Sequence, residues 1–537
     1  FCMNEYINPT RIVTERNVEN SGNILENNTV QSYFNDRNCI KIKSGGYILL
    51  DFGRELNGGA VVTIQSVSAD DTKLRIVFGE SVSESLSDLG KKNSGNHHSV
   101  RDMTVDAVFM STQRFGNTGF RFVKLEAVGG DISVRCVKAE PDIRDIKYLG
   151  SFECSDELLN RIWKTGAYTV QLNMHEYLWD GVKRDRLVWI GDMHPETSVI
   201  GAVFDDDECI RKSLDLIRDN AAADGGWMNN IPTYTFWWII IHHDRYMHTN
   251  DLEYLKQQRD YMLVLVEKLA DIVEKDFEDD RNSDALFVDW SSKNQDGEIE
   301  GVKSIACIAL KCLKKMLEIL GEDEAAKKCG IYHSRLKEEK ADDNIEINNR
   351  IAALTVLAER NSKKSLDKTL STTEYEMSCF MGFYILRALS MIGNNEKALE
   401  LIRRYWGAML ELGATTFWEE FKPDWAENAA RIDEKVPEGK DDIHGDFGEH
   451  CYERYRLSLC HGWASGPTAF LSENIVGIKI LEPGCKKLSI CPNLAGLEWV
   501  NADFPTPYGI VRIECRCVNG KTETHITSPN EIEIVTE

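Results

Sequence analysis

The chain has 537 residues, 42 % hydrophobic and 28 % charged, which fits a globular protein of roughly three or four units and excludes a mainly disordered one. With 63 basic residues against 87 acidic ones the net charge is −24, which repels nucleic acid and anionic membrane surfaces and leaves a neutral small molecule or glycan as the better partner. Fifteen cysteines, an odd number without CxxC spacing, read as the reduced thiols of a cytoplasmic protein.

In chain order, residues Phe1 to Tyr6 show neither the basic nor the apolar region of a secretion signal. From about Ile40 to Glu140, β-rich runs (Tyr47–Phe52, Ala60–Ile64, Lys73–Phe78, Phe120–Leu125) alternate with Gly, Asn, Asp and Ser clusters. This predicts an N-terminal β-sandwich over residues 1–148, with Ser85 to Ser99 as a long exposed loop. At Ser155, read as an N-cap, the period turns helical and stays so for three hundred residues. Asn250 is read as the cap of a helix carrying Leu252, Leu255 and Met262, and further helices are expected over Ile305–Leu320, Met377–Met391 and Glu396–Leu410. Residues 149–468 are therefore expected to form a helical barrel or bundle. Its longest apolar run, Phe236–Ile241, is too short to span a bilayer. Polar Glu322 to Asn349 reads as a solvated helix and loop. Strand texture returns near Phe470, with turns at Glu482-Pro-Gly484 and Asn519-Gly520, so residues 469–537 are expected to close the chain as a small β-sandwich.

Two segments carry concentrated chemistry. Asp180-Gly-Val-Lys-Arg-Asp-Arg-Leu-Val-Trp-Ile-Gly-Asp192 packs three acids and three bases between apolar helices, and Gly413-Ala-Thr-Thr-Phe-Trp-Glu-Glu420 again sets acids beside an indole. Glycoside cleavage needs an undissociated acid to protonate the leaving oxygen and a second carboxylate to activate water or to attack, and two distant loops can supply that pair. If the first segment is extended, alternation sends Arg184 and Arg186 to the face opposite Asp185. Trp189 and Trp418 offer apolar platforms for a sugar, as do Trp227, Trp237, Trp238 and Trp290, although core packing explains any single Trp equally well. The first segment alone also reads as an ion-pair loop. His97-His98 and His242-His243 have no companion at zinc-ligand spacing and read as surface or core histidines, so no metal site is assigned. There is no GxSxG, GxGxxG or GxxxxGK[ST] motif.

The order of β-sandwich, helices and small β domain, with Asp180–Asp192 opening the helices and Gly-Ala-Thr-Thr-Phe-Trp-Glu419 near their end, resembles the α-L-rhamnosidases of glycoside hydrolase family 78. Leu50–Gly59, Gly119–Leu125, Asp289-Trp290 and Ser458-Leu-Cys-His461 extend the resemblance over nearly the whole chain. It implies a multidomain α+β protein with an (α/α)6 barrel, an inverting mechanism, a rhamnosylated glycoside or oligosaccharide as substrate and no obligatory redox cofactor. By position it implies Asp185 as general acid and Glu419 as general base. Asp180, Arg184 and Asp192 would meet sugar hydroxyls, Trp189 and Trp418 would pack on the sugar, His461 would bind it, Trp290 would form an apolar wall, and Trp227 and Trp238 are further binding candidates. This chain departs from the better-known members in carrying Asp at the acid position and Gly181-Val182 where Cys-Pro is usual. Two other readings stand beside hydrolysis, an (α/α)6-barrel sugar phosphorylase and a glycan-binding protein with weak catalysis. The sequence leaves oligomeric state open, a homo-oligomer included.

Overall fold

The computed structural model describes all residues except 1–5, 27–28, 206, 278–286, 293–296, 340–346, 361 and 537. The N-terminal region is built on β1 (Arg11–Glu19), β2 (Ile40–Val67), β3 (Lys73–Gly79), the short helix α1 (Val82–Leu86), β4 (Asp102–Asp106), β5 (Ser111–Val128) and β6 (Ile132–Pro141). Its strands run β1-β2-β5-β3-β4, with β6 also on β2. Strand β2 has 28 residues and bends where its register slips, between Asp51 and Leu56 and between Gly58 and Ala60. Both of its ends therefore reach β6, Ile40 and Ile64 each facing Val134. The sheet folds over a core that includes Ile40, Leu50, Val62, Phe78 and Phe120. At the bend Gly58 has φ 145°, and a Cβ there would lie 2.3 Å from the Glu140 carbonyl, so no larger residue fits.

Strand β7 (Ser151–Cys154) leads into the helices α2 (Glu157–Asn173), α3 (Met193–Val203), α4 (Glu208–Asp224), α5 (Pro232–Thr249), α6 (Leu252–Glu274), α7 (Glu298–Leu320), α8 (Asp323–Glu338), α9 (Asn349–Leu357), α10 (Lys363–Ser371), α11 (Met381–Met391) and α12 (Asn395–Glu411). After the short parallel pair β8 (Ala429–Ala430) and β9 (Asp441–Asp442), α13 (Gly466–Phe470) completes the (α/α)6 barrel. Apolar residues at helical spacing, such as Leu159, Ile162, Trp163 and Val170 of α2, face a core shared by all these helices. No helix among the described residues is long and apolar enough to cross a membrane.

The chain ends in β10 (Ile478–Glu482), β11 (Lys487–Ile490), β12 (Trp499–Thr506), β13 (Gly509–Val518), β14 (Lys521–Thr527) and β15 (Glu533–Val535), which form the sheets β10-β11-β15 and β14-β13-β12-β7. Residues 151–154, which the helical span 149–468 would include, are thus an edge strand of the C-terminal sheet. Asn519-Gly520 makes the tight turn of the β13–β14 hairpin with both φ angles positive.

Three local expectations are corrected. The N-cap of α2 is Asp156, whose carboxylate accepts from the Leu158 and Leu159 N–H groups and also draws on the helix dipole, while Ser155 Oγ accepts from Glu498 N–H. Asn250 caps the C-terminus of α5 in the left-handed conformation, and Asp251 caps α6. Ser85 to Ser99 is not wholly an exposed loop, because Ser85 is buried in α1 and Ser94 is buried as well. Of Glu322 to Asn349, α8 buries Ala326, Cys329 and Leu336, and residues 340–346 lie outside the described residues. All cysteines among the described residues are free thiols.

Candidate active site

The first acidic segment joins α2 to α3 as a loop, not as a strand. Asp185 and Arg186 both have left-handed backbones (φ 58° and 55°), a conformation that costs a side-chain-bearing residue about 1–2 kcal/mol. This double turn lets Asp180 N–H donate to the Leu187 carbonyl at 3.1 Å and Asp180 Oδ1 accept from Leu187 N–H at 2.9 Å, closing the loop on itself. Strained backbone of this kind persists where the surroundings over-determine it. The expected alternation fails for the same reason. Arg184 turns inward beside Asp185, with Nη1 3.8 Å from Asp185 Oδ1, while Arg186 points away to Asn117 and lies over the Trp179 ring.

The N-terminal sheet sets the position of both segments. Arg121 on β5 forms a two-pronged bond to Asp51 and also donates to the Gly413 carbonyl at 3.0 Å, and Glu55 N–H donates to Thr415 Oγ1 at 2.9 Å. Gly119 N–H donates to the Val182 carbonyl at 3.0 Å. The segment that opens at Gly413 is thereby held beside the segment that opens at Asp180.

Glu419 enters this cluster almost fully buried. Its Oε1 accepts from Arg184 Nη2, and its Oε2 accepts from Ser458 N–H at 3.1 Å. Burial raises its carboxyl, and Arg184 and the Ser458 N–H work against that rise. His461 Nε2 lies 3.7 Å from both Asp180 Oδ2 and Glu419 Oε1, and 4.0 Å from Asp192 Oδ2. Burial, then Arg184, push His461 well below the usual histidine range, so its ring is neutral. Asp180 is pushed well up by burial and then by Asp185 and Asp192. Asp192, where α3 begins, is also pushed well up by burial, although Tyr234 donates to its Oδ1 at 2.9 Å. Asp185 is the more open carboxylate, 18 % exposed against 3 % for Glu419, and accepts from Trp189 Nε1 at 3.2 Å.

The structure therefore brings Asp180, Arg184, Asp185, Trp189, Asp192, Glu419 and His461 to one place. Trp290 is half-buried on Phe287, whose ring in turn meets Tyr234, and is stacked with His450, a lining residue of a polar cleft of about 790 Å³ that reaches Glu420. Trp227 lies against Phe236 under Lys268 Nζ. Trp238 is fully buried, with its indole N–H donating to the Leu214 carbonyl, and Trp418 is fully buried against Phe421, its indole N–H without a partner among the described residues. Trp237, also counted as a platform, is fully buried and stacked on His194 and Tyr384.

Several groups at the site were not singled out by sequence. Tyr234 offered no local signal. Glu196, one helical turn after Asp192, could have been found from that spacing; it is pushed well up by burial, and neither of its oxygens has a hydrogen-bond partner among the described residues. His98, read as a surface or core histidine, lies 3.5 Å from Asp185 Oδ1. Lys183, inside the first segment, reaches Glu80 at 2.8 Å and Glu84 at 3.4 Å, and donates to the Tyr455 and Leu457 carbonyls. Glu80, Glu84 and His444 have the spacing of a cation cage, and the Lys183 ammonium occupies it. His242, of the second histidine pair, is core, stacked on Tyr254.

Comparison with known proteins supplies the family. Residues 147–475 match the model described as the bacterial α-L-rhamnosidase six-hairpin glycosidase domain, and residues 477–535 match the bacterial α-L-rhamnosidase C-terminal domain. The chain belongs to the bacterial α-L-rhamnosidases of glycoside hydrolase family 78. Among structures, the family 78 rhamnosidase of Bacillus sp. GL1 superposes with a TM-score of 0.74 at 20 % identity, over 92 % of this chain and 53 % of that one. The rhamnosidase from Klebsiella oxytoca, solved with rhamnose bound, superposes with a TM-score of 0.68 at 18 % identity, over 87 % of this chain and 95 % of that one. At these identities the superpositions show a shared fold. A curated α-L-rhamnosidase of Formosa agariphila is 29 % identical over 116 residues, 22 % of this chain and 12 % of that protein. The chain thus spans about half of the Bacillus chain and matches a small part of the Formosa protein. The family's helical domain opens just before β7 and ends just after α13, so both acidic segments fall inside it.

Proposed function

We propose that the protein hydrolyses terminal α-L-rhamnosides with inversion at the anomeric carbon. The observation that carries this reading is that Asp185 and Glu419, more than two hundred residues apart, lie against different nitrogens of the Arg184 guanidinium. A spacer of that size fits the roughly 6.5–9.5 Å between the carboxylates of an inverting pair better than the roughly 5–5.5 Å of a retaining one. Asp185, open to solvent, gives its proton to the glycosidic oxygen as the C1–O bond breaks and the bonding pair passes to the leaving group. Water attacks C1 from the opposite face, and Glu419, whose charged form Arg184 favours against the pull of burial, takes its proton. Asp180 and Asp192, favoured as neutral carboxyls, and neutral His461 can donate to or accept from the sugar hydroxyls without a net charge facing a neutral substrate. The rhamnose-bound Klebsiella relative and the family's own name support rhamnose as the sugar.

Purified protein is expected to release rhamnose from an aryl α-L-rhamnoside, with the β anomer appearing first by NMR. In Glu419→Gln, kcat is expected to fall by about 10²–10⁴-fold with the fold unchanged by circular dichroism. An α anomer appearing first refutes inversion, and unchanged turnover in the variant refutes the base. A sugar phosphorylase needs no carboxylate base, so turnover without phosphate excludes that reading. The glycan-binding reading predicts sugar binding by calorimetry with no turnover on any glycoside.

A further inference from the structure

The N-terminal β domain also reaches the reacting carboxyl. The loop between α1 and β4 carries His98, whose backbone is left-handed (φ 67°). That conformation aims its ring at the acid loop, where Nε2 lies 3.5 Å from Asp185 Oδ1. Two residues in strained left-handed conformations, Asp185 and His98, therefore face each other from different domains, as strained residues tend to do where a site constrains them. The next residue locks the loop in place: Ser99 Oγ lies 2.9 Å from the Lys183 carbonyl and 2.8 Å from Thr118 Oγ1. His98 is itself 31 % exposed, so it borders the open side of Asp185, where a leaving group has to sit.

We propose that His98 is a positioning residue for the general acid, donating from Nε2 to Asp185 Oδ1 while the Asp185 proton passes to the leaving-group oxygen. This rests on the assignment of Asp185 as the acid. Trp189 Nε1 already donates to Oδ2 at 3.2 Å, so each oxygen of the carboxylate would have its own N–H donor. Such bonds strengthen as negative charge develops on the carboxylate and so stabilise the transition state more than the ground state. The groups facing the imidazole are Asp185, Arg184, Arg456 and His97. Burial, aided by the two arginines and His97, outweighs Asp185 and pushes the ring below the usual histidine range, leaving it neutral with one N–H to place on Nε2.

The test compares leaving groups. 4-Nitrophenolate departs with little protonation, whereas methanol needs a full proton. His98→Ala is expected to lower kcat/KM on methyl α-L-rhamnoside roughly tenfold or more and on 4-nitrophenyl α-L-rhamnoside by less than about twofold. His98→Gln, whose amide N–H can take the place of Nε2, is expected to recover most of the loss. In an Asp185→Asn background His98→Ala is expected to cost nothing further, because the two residues act as one unit. Equal losses on both substrates, no loss on either, or a full additional loss in the Asp185→Asn background would overturn the proposal while leaving the hydrolase reading intact. If the wild-type protein turns over neither substrate, the hydrolase reading fails and this inference falls with it.

Discussion

The buried ammonium of Lys183 gives a quantitative test of how the two acidic segments are held together. In Lys183→Met the stem stays apolar and the charge is removed from between two buried glutamates. At an effective dielectric of about 20, the attraction is about 5 kcal/mol at the 3.4 Å contact to Glu84 and about 6 kcal/mol at the 2.8 Å contact to Glu80 once that carboxyl, raised to about 7 by burial, has ionised. Desolvation of the ammonium offsets much of this, so the net loss expected for breaking the network is about 3–5 kcal/mol. Some of that loss, about 1 kcal/mol per bond, comes from the Tyr455 and Leu457 carbonyls and does not depend on pH. The rest does. Burial alone would raise the Glu84 carboxyl, but Lys183, with His444 and Arg101, holds it below the ordinary glutamate value. In the wild type Glu84 therefore contributes stability above the unfolded-state value near 4.5, and that stability is lost as pH falls. Without Lys183 the Glu84 carboxyl rises, and stability is instead lost as pH rises. The gap between the two proteins should be widest at pH 7–8 and shrink as pH falls toward 4.5, read from urea unfolding followed by tryptophan fluorescence. A loss below about 1 kcal/mol at pH 7.5, or one equally large at pH 4.5, would refute the account of Lys183 as the cation joining these segments.

Three further outcomes are expected. In Gly462→Ala the new Cβ would lie 1.5 Å from Glu196 Oε1, so the buried Glu196 side chain must swing aside beside Asp192; a stability loss of about 1–3 kcal/mol is expected by urea unfolding, and an unchanged stability refutes the close approach. Glu420, raised to about 8 by burial and Glu449, costs stability increasingly as pH climbs from 4.5 to 8; Glu420→Gln should match the wild type at pH 4.5 and gain roughly 1.4 kcal/mol per pH unit across that window by denaturant titration, whereas a gain of the same size at every pH rules this out. Trp238→Ala should lose about 3–5 kcal/mol of stability while KM for an aryl rhamnoside stays unchanged, and a raised KM would return Trp238 to the binding surface.

Periodicity and turn chemistry are local properties, and they carried the fold. The helical stripe of α2, the alternation of β13 and the Asn519-Gly520 turn were all legible because neighbouring residues decide them. Caps were legible in kind and off by one residue, because Ser155 or Asp156, and Asn250 or Asp251, compete for the same helix start and tertiary contacts choose between them. The density of charge in Asp180–Asp192 marked a site, and its motif pointed to Asp185 and Glu419.

What the sequence by itself determined was the order of strand-rich and helical regions, the family and the two acidic segments that meet at the site. Only the tertiary structure decided that Arg184 turns inward, because two consecutive left-handed residues reverse the chain where an extended strand would have pointed it away. It also decided that Trp238 and Trp418 pack in the core, that Lys183 fills the cage of Glu80, Glu84 and His444, and that His98 of the N-terminal domain faces Asp185. The contacts of Lys183 with Glu84 and His444, of Arg184 with Glu419 and of His98 with Asp185 join residues eighty or more positions apart, and no local pattern of side chains records such distances.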